Sequence, residues 1–223
     1  MNISYIPEDL ITIGKYKVVS FENNVLVIDN FYKNYEELYK ILKTIPLPRW
    51  QFAKGTSNFK EYYDCRPVLH VPYFDRENII LKYEKIYSYL LKRFFNYDKN
   101  IEISTDLLEF NFYKNIKKGV SNKMQFAPHK DWAYNCIVYM DKVSSGGTVI
   151  YNDLSESDYN NIGKGQHDNY KLRDMSAFSK SLIPAKPNRL VIFPGSVYHS
   201  SYIDNHNKYT KNWRMNHIIQ IRY

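Results

Sequence analysis

The spacing of apolar positions changes several times along the chain. From Lys17 to Phe21 and from Val25 to Ile28, short β-branched runs flank Glu22-Asn23-Asn24, which predicts a hairpin. From Asn34 the period lengthens. Leu38, Ile41, Leu42 and Ile45 recur at helical spacing, Asn34 is placed to cap them, and Glu36 and Glu37 fall in the first turn. Pro46 and Pro48 end this helix, because proline lacks an N–H and clashes with the preceding turn. Trp50 to Pro72 keeps neither period and reads as a loop rich in Tyr, Asn and Lys. Asn78 to Phe95 predicts a second helix, with Ile79, Ile80, Tyr83, Ile86, Tyr87, Leu90, Leu91 and Phe94 on one stripe. Such a stripe is expected to pack on the back of a sheet, leaving Lys82, Lys85, Lys92 and Arg93 as the solvated face.

Beyond Asp106 the pattern turns to short apolar segments divided by turns: Leu107–Tyr113, Cys136–Met140, Thr148–Tyr151, Leu190–Phe193 and Met215–Tyr223. Short strands following two helices predict a mainly β fold, an antiparallel double sheet with supporting α-helices. Ser155 to Ser181, rich in Ser, Asp, Asn, Gly and Lys, reads as a long irregular insertion: a lid, a partner-binding loop or a tolerated loop. No internal repeat is visible. At 223 residues one domain is expected, with 1–105 supplying helices and N-terminal strands and 106–223 the core.

Composition adds three constraints. Aromatic residues make up 17% of the chain, with 22 Tyr, a load suited to wide packed sheet faces. The net charge of +8 favours an anionic partner, cosubstrate, nucleotide or nucleic acid, although the basic residues are scattered and no nucleic-acid recognition motif is present. Cys65 and Cys136 do not form a disulfide framework, nothing at the N-terminus resembles a cleavable signal, and no apolar run is long enough to span a bilayer. A soluble, reducing, cytoplasmic setting without membrane contact is the expectation.

The candidate chemistry lies in Ala127-Pro128-His129-Lys130-Asp131-Trp132. On a strand, His129 and Asp131 point to the same face, because successive side chains alternate. One imidazole and one carboxylate make half a chelate. His199, after Arg189-Leu190-Val191-Ile192-Phe193-Pro194-Gly195, can complete it from a paired strand, 199 − 129 = 70 residues further on. Two His and one carboxylate on one side of a metal leave the opposite positions open, the facial arrangement of non-heme Fe(II) oxygenases. His70, His167, His206 and His217 lack a carboxylate in a comparable frame. His206 is expected in an exposed polar loop, and His217 is a candidate to point inward near the site.

The flanks carry a resemblance. His129-Lys130-Asp131 is followed by the strand Cys136–Asp141, the turn Gly146-Gly147 leading to Tyr151, the Phe193-Pro194…His199 segment, and a strand opening with Arg214. Over about Phe110 to Tyr223 this order resembles the 2-oxoglutarate- and Fe(II)-dependent dioxygenases, in particular their prolyl-hydroxylase-like branch. The opening Val27-Ile28-Asp29-Asn30-Phe31 before a helix resembles that family too. The resemblance implies a double-stranded β-helix, a jelly roll of cupin type. It also implies Fe(II) held by His129, Asp131 and His199, with 2-oxoglutarate as cosubstrate, O2, and ascorbate as an optional addition.

A fixed Arg suits the far carboxylate of 2-oxoglutarate, since its planar fork matches a carboxylate bidentately. Arg214 fills that role best, although 214 − 199 = 15 residues is a longer interval than usual and leaves Lys211 and Arg222 as rivals. Tyr113 and Tyr139 match positions near the cosubstrate, Asn135 is a candidate to face the pocket, and Trp132 either shields the metal or packs in the core. Tyr62–Pro67 is a candidate lining for the substrate entrance. The implied reaction decarboxylates 2-oxoglutarate to succinate and CO2 while a substrate C–H bond is hydroxylated. Related halogenases replace the carboxylate ligand with a small residue, and Asp131 argues against that chemistry. The expected substrate is a residue in a protein or peptide. A free amino acid, a nucleobase or a small metabolite is the alternative substrate, and a non-catalytic cupin-like or nucleic-acid-binding module the alternative function.

Overall fold

The structure, a computed structural model, describes residues 12–44, 51–52, 63–65, 67–70, 76–103, 109–116, 124–131, 133–143, 145–162, 172–209 and 214–222. In chain order these form β1 (Lys17–Glu22), β2 (Val25–Asp29), α1 (Tyr35–Thr44), β3 (Gln51–Phe52), β4 (Tyr63–Cys65), β5 (Pro67–His70), α2 (Arg76–Phe95) and β6 (Glu102–Ile103). The second half adds β7 (Glu109–Ile116), β8 (Met124–Phe126), β9 (Tyr134–Tyr139), β10 (Gly147–Tyr151), α3 (Glu156–Ile162) and β11 (Leu172–Asp174). It closes with β12 (Lys180–Pro184), β13 (Arg189–Pro194), β14 (His199–Tyr202), a 3-10 turn (His206–Tyr209) and β15 (Arg214–Arg222).

Local chemistry explains the first elements. Asn23 and Asn24 take φ values of 51° and 59°, the paired left-handed positions a tight hairpin between β1 and β2 requires. α1 begins directly after Asn34, whose carbonyl accepts the Leu38 N–H at 3.0 Å, and it buries Tyr35, Leu38 and Leu42. Tyr83, Tyr87, Leu90 and Leu91 of α2 are buried in the same core, as the stripe predicted.

Two antiparallel sheets face each other. The large one runs β1-β2-β13-β9-β15-β7-β5-β3, with β4 on β7 and β6 on β15; the small one runs β12-β10-β14, and β8 pairs with β11. An isolated antiparallel bridge between His129 and His199 ties the segment after β8 to β14. Period-2 alternation sorts the large sheet into two faces. Leu26, Ile28, Cys136, Val138, Leu190, Ile192, Met215, Ile219 and Ile221 pack against α1 and α2. Val27, Ile137, Tyr139, Val191 and Phe193 turn the other way and meet Ile150 and Ile183 of the small sheet. This is the double-stranded β-helix architecture, with α1 and α2 behind the large sheet and α3 packing Tyr159 and Ile162 against Val149 and Tyr151 of the small one. The glycine turn entering β10 is sterically required: a Cβ on Gly146 would lie 2.0 Å from the Tyr202 carbonyl oxygen, and one on Gly147 2.0 Å from that of Ile183.

Several expectations change. Trp50–Pro72 is not simply a loop, since it contains β3, β4 and β5; these short strands gain their structure from pairing with β7 and with each other, which no local period reports. The side chains of Tyr62–Pro67 lie outside the described residues. Ser155–Ser181 contains α3, β11 and the start of β12. α3 opens on a reciprocal cap: the Asp158 N–H donates to Ser155 Oγ, and the Ser155 N–H to Asp158 Oδ2, both at 3.1 Å. His206 is buried rather than exposed, because the 3-10 turn carrying it packs against β7. Among the described residues, no helix is long and apolar enough to cross a membrane.

His217 does not point toward the inner face. It sits on the helix side of β15, fully buried, with Nδ1 bonded to the Tyr32 hydroxyl, which in turn meets the Tyr83 hydroxyl at 2.9 Å. Burial pushes the His217 imidazole down to about 3, from an ordinary value of 6.5. The unfolded chain therefore binds the extra proton first as pH falls below 6.5, and stability drops with pH between 6.5 and 3. From pH 6.5 to 5, urea denaturation should register a loss from this group of about 1.6 kcal/mol. His217→Asn should flatten that slope; an unchanged slope would mean other groups govern it.

Candidate metal centre

The bridge between His129 and His199 is a reciprocal pair: His129 N–H donates to the His199 carbonyl at 2.9 Å and His199 N–H to that of His129 at 3.0 Å. The ladder continues past it. Asp131 N–H donates to Gly195 O at 2.8 Å, and Gly195 N–H to Ala133 O at 2.9 Å. His129-Lys130-Asp131 is thus extended chain held by a bridge, not part of a regular strand as the spacing argument assumed. The outcome for the side chains is the same. His129, Asp131 and His199 each present a ligand atom, all within 4.8 Å of one another.

The protonation states suit a cation. His199 Nδ1 lies 2.9 Å from the Val197 carbonyl, which can only accept, so Nδ1 carries the proton. Burial and the nearby His129 lower the His199 imidazole, with Asp131 opposing, so the ring is neutral and Nε2 bears a lone pair. Burial would raise the Asp131 carboxyl, but hydrogen bonding and charge from His129 and His199 outweigh it and hold it well below the usual carboxylate range. A lone pair on His199 Nε2 thus faces the Asp131 carboxylate at 3.3 Å, with His129 Nε2 at 3.6 Å from the same oxygen. Such an arrangement needs a positive charge among the three atoms: without metal a proton on an imidazole provides it, and a divalent metal would take that proton's place. Two imidazoles and one carboxylate fit a first-row divalent ion. Phe193 closes one side, its ring edge-on to His199 at 4.8 Å. Asn135, buried, places its amide nitrogen 3.2 Å from His199 Nε2, beside the donor set.

The inner face extends from this cluster toward Arg214. By alternation His199 and Ser201 of β14 share a face, about 7 Å apart along the strand. Arg214, only 1% exposed, donates from Nη1 to Ser201 Oγ at 3.3 Å and from Nη2 to the Gly147 carbonyl at 3.0 Å. Tyr139, equally buried, donates to Thr148 Oγ1 at 2.7 Å, and the Arg214 charge acts on its hydroxyl. Thr148 and Ser201 were not among the sequence candidates; their strand parity with Ile150 and His199 was the available signal. Tyr113 is opposite Arg214 in the β7–β15 ladder. Arg222 is at the far end of β15, opposite Glu102 of β6. The Tyr113 side chain and all of Trp132 and Lys211 lie outside the described residues.

Lys130, between the two ligands, turns outward. Its Nζ lies 3.5 Å from Glu156 Oε2 and 4.1 Å from the centre of the Tyr198 ring, and the Tyr198 hydroxyl donates to the same Glu156. α3 is therefore fastened to the ligand-bearing segment, a link that sequence spacing did not reveal.

The architecture is similar to that of solved 2-oxoglutarate/Fe(II) oxygenases. A crystal structure of a 2OG-Fe(II) oxygenase family oxidoreductase from Burkholderia pseudomallei is similar over 90% of this chain and 85% of that one, at 11% identity and a TM-score of 0.53. HygX from Streptomyces hygroscopicus, solved with nickel, 2-oxoglutarate and hygromycin B, is similar over 89% and 82%, at 10% identity and a TM-score of 0.52. At these identities the likeness is one of fold. The chain itself belongs to DUF6445, described as a family of unknown function, whose model matches residues 11–215. No curated protein matches it.

Removing one ligand should abolish tight metal binding. Anaerobic equilibrium dialysis with Fe(II) should show Asp131→Ala weakened by more than about 100-fold, beyond the loss typical of residues that only support a ligand. Affinity retained in that variant would move the metal elsewhere.

Proposed function

We propose that the chain is an Fe(II)- and 2-oxoglutarate-dependent dioxygenase that hydroxylates a C–H bond of an amino-acid residue in a protein or peptide, releasing succinate and CO2. The observation that carries this reading is the convergence of His129, Asp131 and His199 at one end of an inner face whose other end holds the buried Arg214. Bound Fe(II) with 2-oxoglutarate supplies the activation of O2 that C–H hydroxylation needs. His129, Asp131 and His199 would hold the metal and leave its opposite positions open. Arg214 would receive the distal carboxylate of 2-oxoglutarate through its guanidinium fork, and Tyr139 would bond the same end. Phe193 and the apolar inner core exclude water from that space, which strengthens each of these polar contacts.

The peptide substrate is supported by the prolyl-hydroxylase-like order of motifs from His129 to Arg214. A second reading keeps the chemistry and changes the substrate to a small molecule. It is favoured by HygX, whose structure contains hygromycin B.

The test is anaerobic. Adding Fe(II) and then 2-oxoglutarate should produce the visible charge-transfer band of the chelate, and His199→Ala should abolish it. Arg214→Lys should keep the band but weaken 2-oxoglutarate by about tenfold or more, because a point charge replaces a bidentate fork. Iron binding without a band would sink the 2-oxoglutarate reading. Unchanged cosubstrate affinity in Arg214→Ala would pass the anchor to Arg222 or Lys211.

A further inference from the structure

A groove of about 680 Å³ runs along the seam between the two sheets, within the size range of ligand sites. One wall is the β1–β2 hairpin, where Val19 is 47% exposed; the other is β12, where Leu182 is 45% exposed. Val27, Ile150 and Ile183, the outer end of the inner core, form its floor. Lys130 and Ser196–Tyr198, neighbours of the candidate ligands, border it as well. One part of the groove therefore adjoins the candidate metal centre without including any of its three ligands.

Both walls are sheet edges. Among the described residues β12 pairs only with β10, and β1 only with β2. An edge strand aims a row of peptide N–H and C=O groups away from its single neighbour, ready to pair with another chain. β1 is blunted, since its register slips between Val18 and Ser20 and leaves Val19 as a bulge. β12 keeps its register, Lys180 to Pro184 pairing with Tyr151 to Gly147 residue for residue. Ser181 and Ile183 bond β10, the N–H and C=O of Lys180 and Leu182 face outward, and the Pro184 carbonyl accepts from Arg189. A regular row of backbone groups beside an apolar floor offers more to an extended chain than to a compact molecule. Nor is the groove built for a polyanion, because its cations are already engaged, Arg189 with Asp29 and Lys130 with Glu156.

We propose that this groove docks an extended polypeptide segment, which adds to β12 as a further strand and lays alternate side chains on the Val27–Ile150–Ile183 floor. In the hydroxylase reading the segment flanks the modified residue and is held beside the metal rather than at it. Its assignment to the substrate rests on that reading; the docking does not.

The test pans a randomised linear peptide library against the full-length chain. The recovered peptide is then measured by fluorescence anisotropy and by hydrogen–deuterium exchange. Binding should protect the amides of Lys180 and Leu182, which the β10 pairing leaves facing outward. Leu182→Asp should weaken binding by about tenfold or more, while Leu81→Asp, on exposed α2 surface, should not. Recovery of no peptide, or of peptides that leave Lys180 and Leu182 unprotected, overturns the proposal. Protection of β12 that rises with protein concentration in the absence of peptide also overturns it and gives the seam to a second copy. Peptide binding that persists while the charge-transfer band fails to form upholds the docking site and removes only the hydroxylase reading.

Discussion

The reciprocal hydrogen bonds between His129 and His199 are the constraint on which the site depends. They join two segments 70 residues apart (199 − 129) and fix which side chains of each share a face. Each bond contributes only about 1 kcal/mol net. Their effect is larger than that figure, because register in a period-2 structure is all or none: a slip of one residue would turn every side chain to the opposite face. The bonds from Asp131 to Gly195 and from Gly195 to Ala133 lock the same register from the other side of the Pro194-Gly195 turn. The geometry of the three candidate ligands is thus set by backbone pairing and does not rely on contacts among their side chains.

The same alternation governs the large sheet. β9 sends Cys136 and Val138 to the helices and Asn135, Ile137 and Tyr139 inward; β15 sends Met215, His217, Ile219 and Ile221 to the helices and Arg214 inward. Burying a guanidinium costs several kcal/mol unless its donors find acceptors. Arg214 finds them in Ser201 and the Gly147 carbonyl. The Gly147 carbonyl belongs to the Gly146-Gly147 turn, where a Cβ would run into the Tyr202 or Ile183 backbone. A turn glycine, a strand hydroxyl and an arginine thus form one unit, though they stand far apart in the sequence.

What the sequence revealed follows from how local each feature is. The hairpin at Asn23-Asn24, both long helices and the main strands of the second half announce themselves in residues that are neighbours. The candidate ligands were legible because His129 and Asp131 are two apart and a strand-turn signal precedes His199. β3, β4, β5 and β11 were not, since strands of two to four residues show no period and exist only through their partners. α3 was missed although Ser155 and Asp158 spell its cap, because the Ser- and Asn-rich stretch around it reads as loop. His206 was misjudged because its neighbours are polar, while its burial comes from packing against β7, a tertiary fact. His217 was decidable: three residues from Arg214 on one strand, it has the opposite parity, so an inward Arg214 sends it outward.

His199 and His217 together show what distinguishes a candidate ligand from a packed histidine. Both are buried, and burial pushes both imidazoles down, so neither holds a proton on its second nitrogen near neutral pH. The direction of the shift therefore does not separate them. Their surroundings do. His217 Nδ1 meets the Tyr32 hydroxyl, a group that can itself donate, and the ring lies among Tyr32 and Tyr83 in a layer of helix-packing residues. His199 instead gives its one proton to the Val197 carbonyl and turns its lone pair on a carboxylate that is held ionised. Two electron-rich atoms 3.3 Å apart need a positive charge between them, a proton when no metal is bound, and a divalent metal would take its place. It is this confrontation, more than burial or a shifted imidazole, that marks the His129–Asp131–His199 cluster as a place for metal.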